Sequence, residues 1–168
     1  ISLMDEWEAK IEAIANTSIK EDVSSLAGVP SWMLVVAKKV LSKTGKSNLH
    51  EVWPNLEVYM HGGVNFSPYR KQFEELLPKP NFNFLETYNA SEGFFGIQDL
   101  NNSEELLLML DYGIFYEFIP MDKYDAENSQ TIGLSEVELD RNYAVVISTN
   151  ALEIYHWRYY KIQLPQSL

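Results

Sequence analysis

Residues 56–90 read L-E-V-Y-M-H-G-G-V-N-F-S-P-Y-R-K-Q-F-E-E-L-L-P-K-P-N-F-N-F-L-E-T-Y-N-A, and this stretch decides the fold class. Leu56–Met60 alternates and is rich in strand formers, so it predicts a strand running straight into His61-Gly62-Gly63. Ser67 then offers an N-cap and Pro68 a preset first helical position, which opens a helix through Leu77 that Pro78 and Pro80 close. Phe82–Tyr88 reads as a second strand. Strand, helix and strand in succession, with helices before and antiparallel strands after, predict a layered α/β domain with a mixed sheet.

Working outward, Met4, Trp7, Ile11, Ile14 and Ala15 recur at helical spacing with Glu and Lys between them, which predicts an amphipathic helix. The polar run Asn16–Ser25 reads as a loop or a further helical turn. Pro30 punctuates the start of the next helix, Ser31–Leu41, expected to bury Trp32, Val35, Val36 and Val40 before Gly45 stops it. Downstream, Asn89–Gly96 reads as a glycine-containing loop. Leu106–Leu110 and Ile114–Ile119 suggest a hairpin about Asp111-Tyr112-Gly113. Asp122–Gln130 reads as a polar loop, and Glu136–Leu139 with Ala144–Ser148 as another strand pair.

The 168 residues suit one domain, and a chain of that size can bury about two-thirds of its unfolded surface. A net charge of −11 excludes the broad basic surface that nucleic acids need and any polybasic membrane anchor. No run approaches the ~18–20 apolar residues of a membrane span, and no leader peptide is visible. With no Cys there is no disulfide, thiolate nucleophile or zinc finger, which agrees with a cytoplasmic location. The chain opens at Ile1 almost directly on a helical pattern, and is read as a piece of something longer.

Two segments could carry chemistry. At His61-Gly62-Gly63 the glycines would let a ligand lie close against bare backbone N–H and C=O groups; a tight turn is the plainer reading. Thr87-Tyr88-Asn89-Ala90-Ser91-Glu92-Gly93-Phe94 combines rings, hydroxyls and a carboxylate at a strand exit. A ring can stack on a base, a hydroxyl can bond phosphate, and a carboxylate suits Mg²⁺; an ordinary capped strand exit has the same composition. His50, His61 and His156 show no zinc-ligand spacing, and no Walker A or G-x-S-x-G motif is present.

The stretches S-S-L-A-G-V-P-S-W (24–32), E-V-W-P-N-L-E-V-Y-M-H-G-G-V-N-F-S-P-Y-R (51–70) and L-E-T-Y-N-A-S-E-G-F-F-G-I-Q (85–98) resemble the auxin-responsive amido synthetases of the adenylate-forming superfamily, bacterial relatives above all. The likeness covers Leu3 to about Ala151 and implies the central segment of a large N-terminal adenylation domain. It implies an ATP- and Mg²⁺-dependent enzyme that couples a small carboxylic acid to an amino acid through an acyl-adenylate. By the same resemblance Gly62 and Gly63 lie along the adenine, and Tyr88 lies beside adenine and ribose. Ser91 and Glu92 serve the phosphates and the metal, with Glu92 the catalytic carboxylate, while Thr87, Asn89 and Phe94 line the acyl-acid pocket. Adenylation needs charge neutralisation and orientation rather than a protein nucleophile, which fits these residue types.

The family's phosphate loop and ribose-binding acidic loop would precede this segment, so the chain alone is expected to be inactive. An acyl-CoA-ligase-type adenylating enzyme and a non-catalytic truncated gene product are the alternatives. After Ala151 the likeness stops. Permitted codons for Leu152–Leu168, translated one base later, can encode W-R-Y-I-I-G-D, the family's next motif, so 152–168 is read as a possible frameshift product. Apolar surface left open by a partial domain would favour self-association.

Overall fold

The computed structural model describes residues 6–90, 93–101, 103, 105–125, 128–149 and, for the backbone only, 158–160. They fall into two units, one built on residues up to 88 together with 100–102, the other on 89–99 and 103 onward.

In the first unit, α1 (Trp7–Ser18), α2 (Pro30–Thr44) and α3 (Ser67–Leu76) accompany β1 (Ser25–Ala27), β2 (Val58–Gly62) and β3 (Asn83–Ala90, its last two residues going with the second unit). β1 pairs with β2 and β2 with β3, both in parallel. The register aligns Leu26 with Tyr59 and Tyr59 with Phe84, so these three point to one face. On that face they join a buried cluster with Ala15 of α1, Leu34, Ala37 and Val40 of α2 and Phe73 of α3. Tyr59 is its centre: fully buried, stacked on Phe73 with centroids 4.6 Å apart, and donating its hydroxyl to the Gly28 carbonyl at 2.8 Å. Burial pushes its phenol pKa well up, so it stays a donor. Trp53 is buried alongside and donates its indole N–H to the Ser18 carbonyl at the end of α1, 2.8 Å away.

Helix positions match the sequence pattern while one face and several strands do not. α2 buries Pro30, Leu34, Ala37 and Val40, a stripe at intervals of three and four; Trp32 is 56% exposed and Val35 44% exposed, contrary to expectation. The small Ala37 lets the helix sit close to its neighbours, and Trp32 instead meets Trp7 edge-on at 4.1 Å. Ser67 does not cap α3: its own amide is held by the Asn65 side chain at 2.8 Å. β1, absent from the sequence reading, is only three residues long, too short for alternation to show. On the solvent side Lys39 and Lys43 both reach Glu12, whose carboxyl these ammonium groups hold down at about 2; such exposed pairs contribute little stability.

In the second unit β4 (Gly93–Ile97) pairs antiparallel with β5 (Leu107–Leu108). β6 (Ile114–Pro120) pairs antiparallel with β7 (Tyr143–Thr149), and β7 with β8 (Arg158–Tyr160). The hairpin expected between 106 and 119 therefore does not form: its first arm pairs with β4 and its second with β7. Nor is Glu136–Leu139 a strand, because Leu134–Glu136 makes a 3-10 turn. Phe118 and Tyr143 are fully buried with their rings at right angles, and the Tyr143 hydroxyl accepts from the Glu138 amide at 2.9 Å. Arg141 holds Asp122 through both carboxylate oxygens at 2.8 and 2.9 Å. Parallel and antiparallel pairings thus coexist with helices, as the layered α/β reading expects. No helix among the described residues is long and apolar enough to cross a membrane.

Phe73 fills the space under Tyr59, so Phe73→Ala is expected to lower stability by about 3–5 kcal/mol, read from a urea unfolding midpoint.

Candidate functional site

β2 and β3 run side by side, and β2 ends at Gly62 opposite Thr87, while β3 runs on to Ala90. Ligands of parallel α/β sheets bind beyond the carboxyl ends of such strands. Gly62 is thus the last residue of a strand rather than part of a loop, and the reason for glycine lies beside it. A Cβ built at Gly62 would lie 2.1 Å from the Thr87 carbonyl oxygen, a contact no side chain can make. Thr87 in turn donates its hydroxyl to the His61 carbonyl at 3.1 Å. The two exits are therefore tied together, backbone against backbone. Gly63 follows with φ +80°, the left-handed region, where only the Val29 side chain would meet an added Cβ, at an ordinary 3.6 Å. That turn is exposed and leaves its backbone open to a ligand.

The structure thus brings Gly62 and Thr87 together, with Gly63 beside them. Tyr88 follows on β3, half-buried, and Asn89 is exposed on the same strand. Phe94 stands on β4, half-buried, its ring 6.1 Å from that of Tyr112. Ser91 and Glu92 lie outside the described residues. The expected loop 89–96 is a correction in its own right, since β3 continues to Ala90 and β4 begins at Gly93. Among the described residues no group of three or more His, Asp or Glu side chains is placed to hold a metal ion, so the Mg²⁺ expectation rests on Glu92 alone.

His61 is the residue whose environment the sequence did not disclose. It is 2% exposed and stacked on Phe66 at 3.8 Å, with the planes 17° apart. Neither ring nitrogen has a hydrogen-bond partner among the described residues. Burial, helped by the positive Arg70, lowers its pKa from 6.5 to about 4. Arg70 itself lies over the Phe66 ring at 5.2 Å and the Phe84 ring at 5.8 Å. Across the β2–β3 register from His61 stands Glu86, whose carboxyl burial pushes upward. The His61 ring at the end of β2 is thus packed among aromatic rings, and the backbone at Gly63 is exposed.

The fold is shared with solved enzymes that form adenylates. The chain is similar to a solved GH3.15 acyl acid amido synthetase, with a TM-score of 0.60 at 12% identity over 88% of this chain and 35% of that one. It is similar also to the adenylation domain AlmE of Vibrio cholerae, solved in complex with glycyl-adenosine-5'-phosphate, with a TM-score of 0.51 at 12% identity over 89% of this chain and 27% of that one. In sequence the GH3 family N-terminal domain matches residues 1–82 and the GH3 family central domain matches residues 107–159. Two successive domains of one family, in order along the chain, place this protein in the GH3 family. It is 28% identical over 150 residues to the indole-3-acetic acid-amido synthetase GH3.3 of Arabidopsis thaliana, an alignment taking in 82% of this chain. The chain spans about a quarter of that relative's length, 24%. The central-domain match reaches past Ala151 to residue 159, over the segment where β8 pairs with β7.

Two substitutions test this geometry. Gly62→Ala must push the Thr87 carbonyl aside and is expected to cost about 1–3 kcal/mol, measured by thermal or urea unfolding. For His61, the unfolded chain takes up a proton near pH 6.5 and the folded chain only near 4. Stability is therefore full above pH 6.5 and falls as pH drops through that window, by up to about 3 kcal/mol. His61→Phe, which breaks no hydrogen bond among the described residues, should flatten the stability profile between pH 7 and 4.

Proposed function

We propose that this chain is the nucleotide-facing part of an ATP-dependent acyl-acid amido synthetase, which adenylates a small carboxylic acid and passes the acyl group to an amino acid. Membership of the GH3 family supports the reaction class, and the observation that carries the reading is the pair of tied strand exits. Close backbone approach at Gly62 and an open left-handed turn at Gly63 suit a flat base laid against the chain, with Tyr88 on the neighbouring exit to flank it. Carried over by resemblance, Ser91 and Glu92 serve the phosphates and Mg²⁺, with Glu92 the catalytic carboxylate, and Thr87, Asn89 and Phe94 face the acid. The location that goes with this reading is cytoplasmic. Residues 1–151 form the central segment of the adenylation domain, and 152–168 is read as an out-of-frame tail. The coding DNA tests that tail: codons incompatible with the shifted frame remove it.

At a quarter of its relative's length, the chain is expected to bind ATP but not to turn it over. Each charge-assisted hydrogen bond missing from the phosphates removes about 1.5–3 kcal/mol of stabilisation. ATP–pyrophosphate exchange, run with a panel of carboxylic acids, should stay at background, and robust acid-dependent exchange would show the chain to be a working enzyme. Calorimetry with ATP should give measurable heat; a flat titration overturns the nucleotide assignment.

A further inference from the structure

We infer that Thr87 is a positioning residue for the Gly62–Gly63 turn, acting through the hydrogen bond from its hydroxyl to the His61 carbonyl. The inference deepens the nucleotide reading above and rests on it for its binding arm only. The geometry is local. At the last rung between β2 and β3 the Thr87 hydroxyl donates to the His61 carbonyl at 3.1 Å, so its single proton is committed to backbone. The Thr87 carbonyl occupies the space where a Gly62 Cβ would be. One residue therefore fixes the end of β2 twice, by a hydrogen bond on one peptide and by contact on the next. His61 makes no hydrogen bond through its ring among the described residues, and the ring lies in the aromatic cluster with Tyr59 and Phe66.

Beyond this point the chain turns left-handed at Gly63 and the backbone becomes exposed. A glycine turn has many conformations open to it. Held at the His61 carbonyl, it presents its N–H and C=O groups in one arrangement; released, it must be ordered by the ligand, which weakens binding without changing any contact.

The test uses the whole chain with Thr87→Val, which keeps the shape and removes the donor, and Thr87→Ser, which keeps the donor. Amide hydrogen exchange is followed at Gly62, the buried last residue of the β2–β3 ladder, against the mid-strand amides of Tyr59 and Met60, with ATP affinity measured by calorimetry. Thr87→Val should speed exchange at Gly62 roughly tenfold, as loss of one hydrogen bond predicts, and leave the mid-strand amides and the melting temperature nearly unchanged. ATP affinity should fall severalfold, and Thr87→Ser should restore both exchange and affinity. Wild-type exchange at Gly62 in Thr87→Val, or failure of Thr87→Ser to restore it, overturns the inference. If the wild-type chain gives no heat with ATP, the nucleotide reading fails on its own, and the exchange arm still decides the role of Thr87.

Discussion

The first unit depends on a single phenol. Tyr59 lies in the middle strand of the three parallel ones, with its ring against Phe73 of α3 and its hydroxyl on the Gly28 carbonyl just past β1. The hydroxyl satisfies a backbone acceptor at the point where the chain leaves the short β1 for α2, and the ring provides the surface that α3 covers. A phenylalanine would keep the second function and lose the first. β1 has only three residues of ladder, so the bond from Tyr59 is a large share of what fixes its far end. With β1 and β2 aligned, the carboxyl end of β2 at Gly62 meets Thr87 of the longer β3, and the candidate site follows from that rung.

Much of this fold can be read from residue spacing. The amphipathic period of α1 and the prolines around α3 place those helices to within a few residues. What spacing could not settle was which of several apolar stripes on α2 faces inward. Trp32, Val35 and Val36 are as greasy as Leu34 and Val40, and the decision falls to Ala37, whose small side chain allows close packing. Strand pairing was equally hidden. Leu106–Leu110 and Ile114–Ile119 sit either side of Asp111-Tyr112-Gly113, as hairpin arms would, yet each finds a different partner strand, a choice made by long-range contacts.

The site divides along the same line. Gly62, Gly63, Thr87 and Tyr88 could be picked out because glycine pairs and mixed hydroxyl–aromatic clusters at strand ends are compositional signals. That Gly62 is closed off by the Thr87 carbonyl, or that His61 lies buried without a ring hydrogen bond among the described residues, depends on the register of two strands separated by a helix. Histidine carries no local mark of burial; the aromatic cluster that covers it, and the Arg70 charge nearby, give the reason for its lowered pKa.

Gly62 and Gly63 are neighbours under unlike rules of inheritance. At Gly62 the obstacle is an oxygen atom of the opposite strand, so every replacement meets it alike, and of the single-base changes open to a glycine codon only the silent third-base ones leave the protein intact. At Gly63 the obstacle is a torsion angle, which asparagine or aspartate can adopt at modest cost. Drift can therefore recolour the second glycine with a polar side chain on an exposed turn, while the first stays frozen.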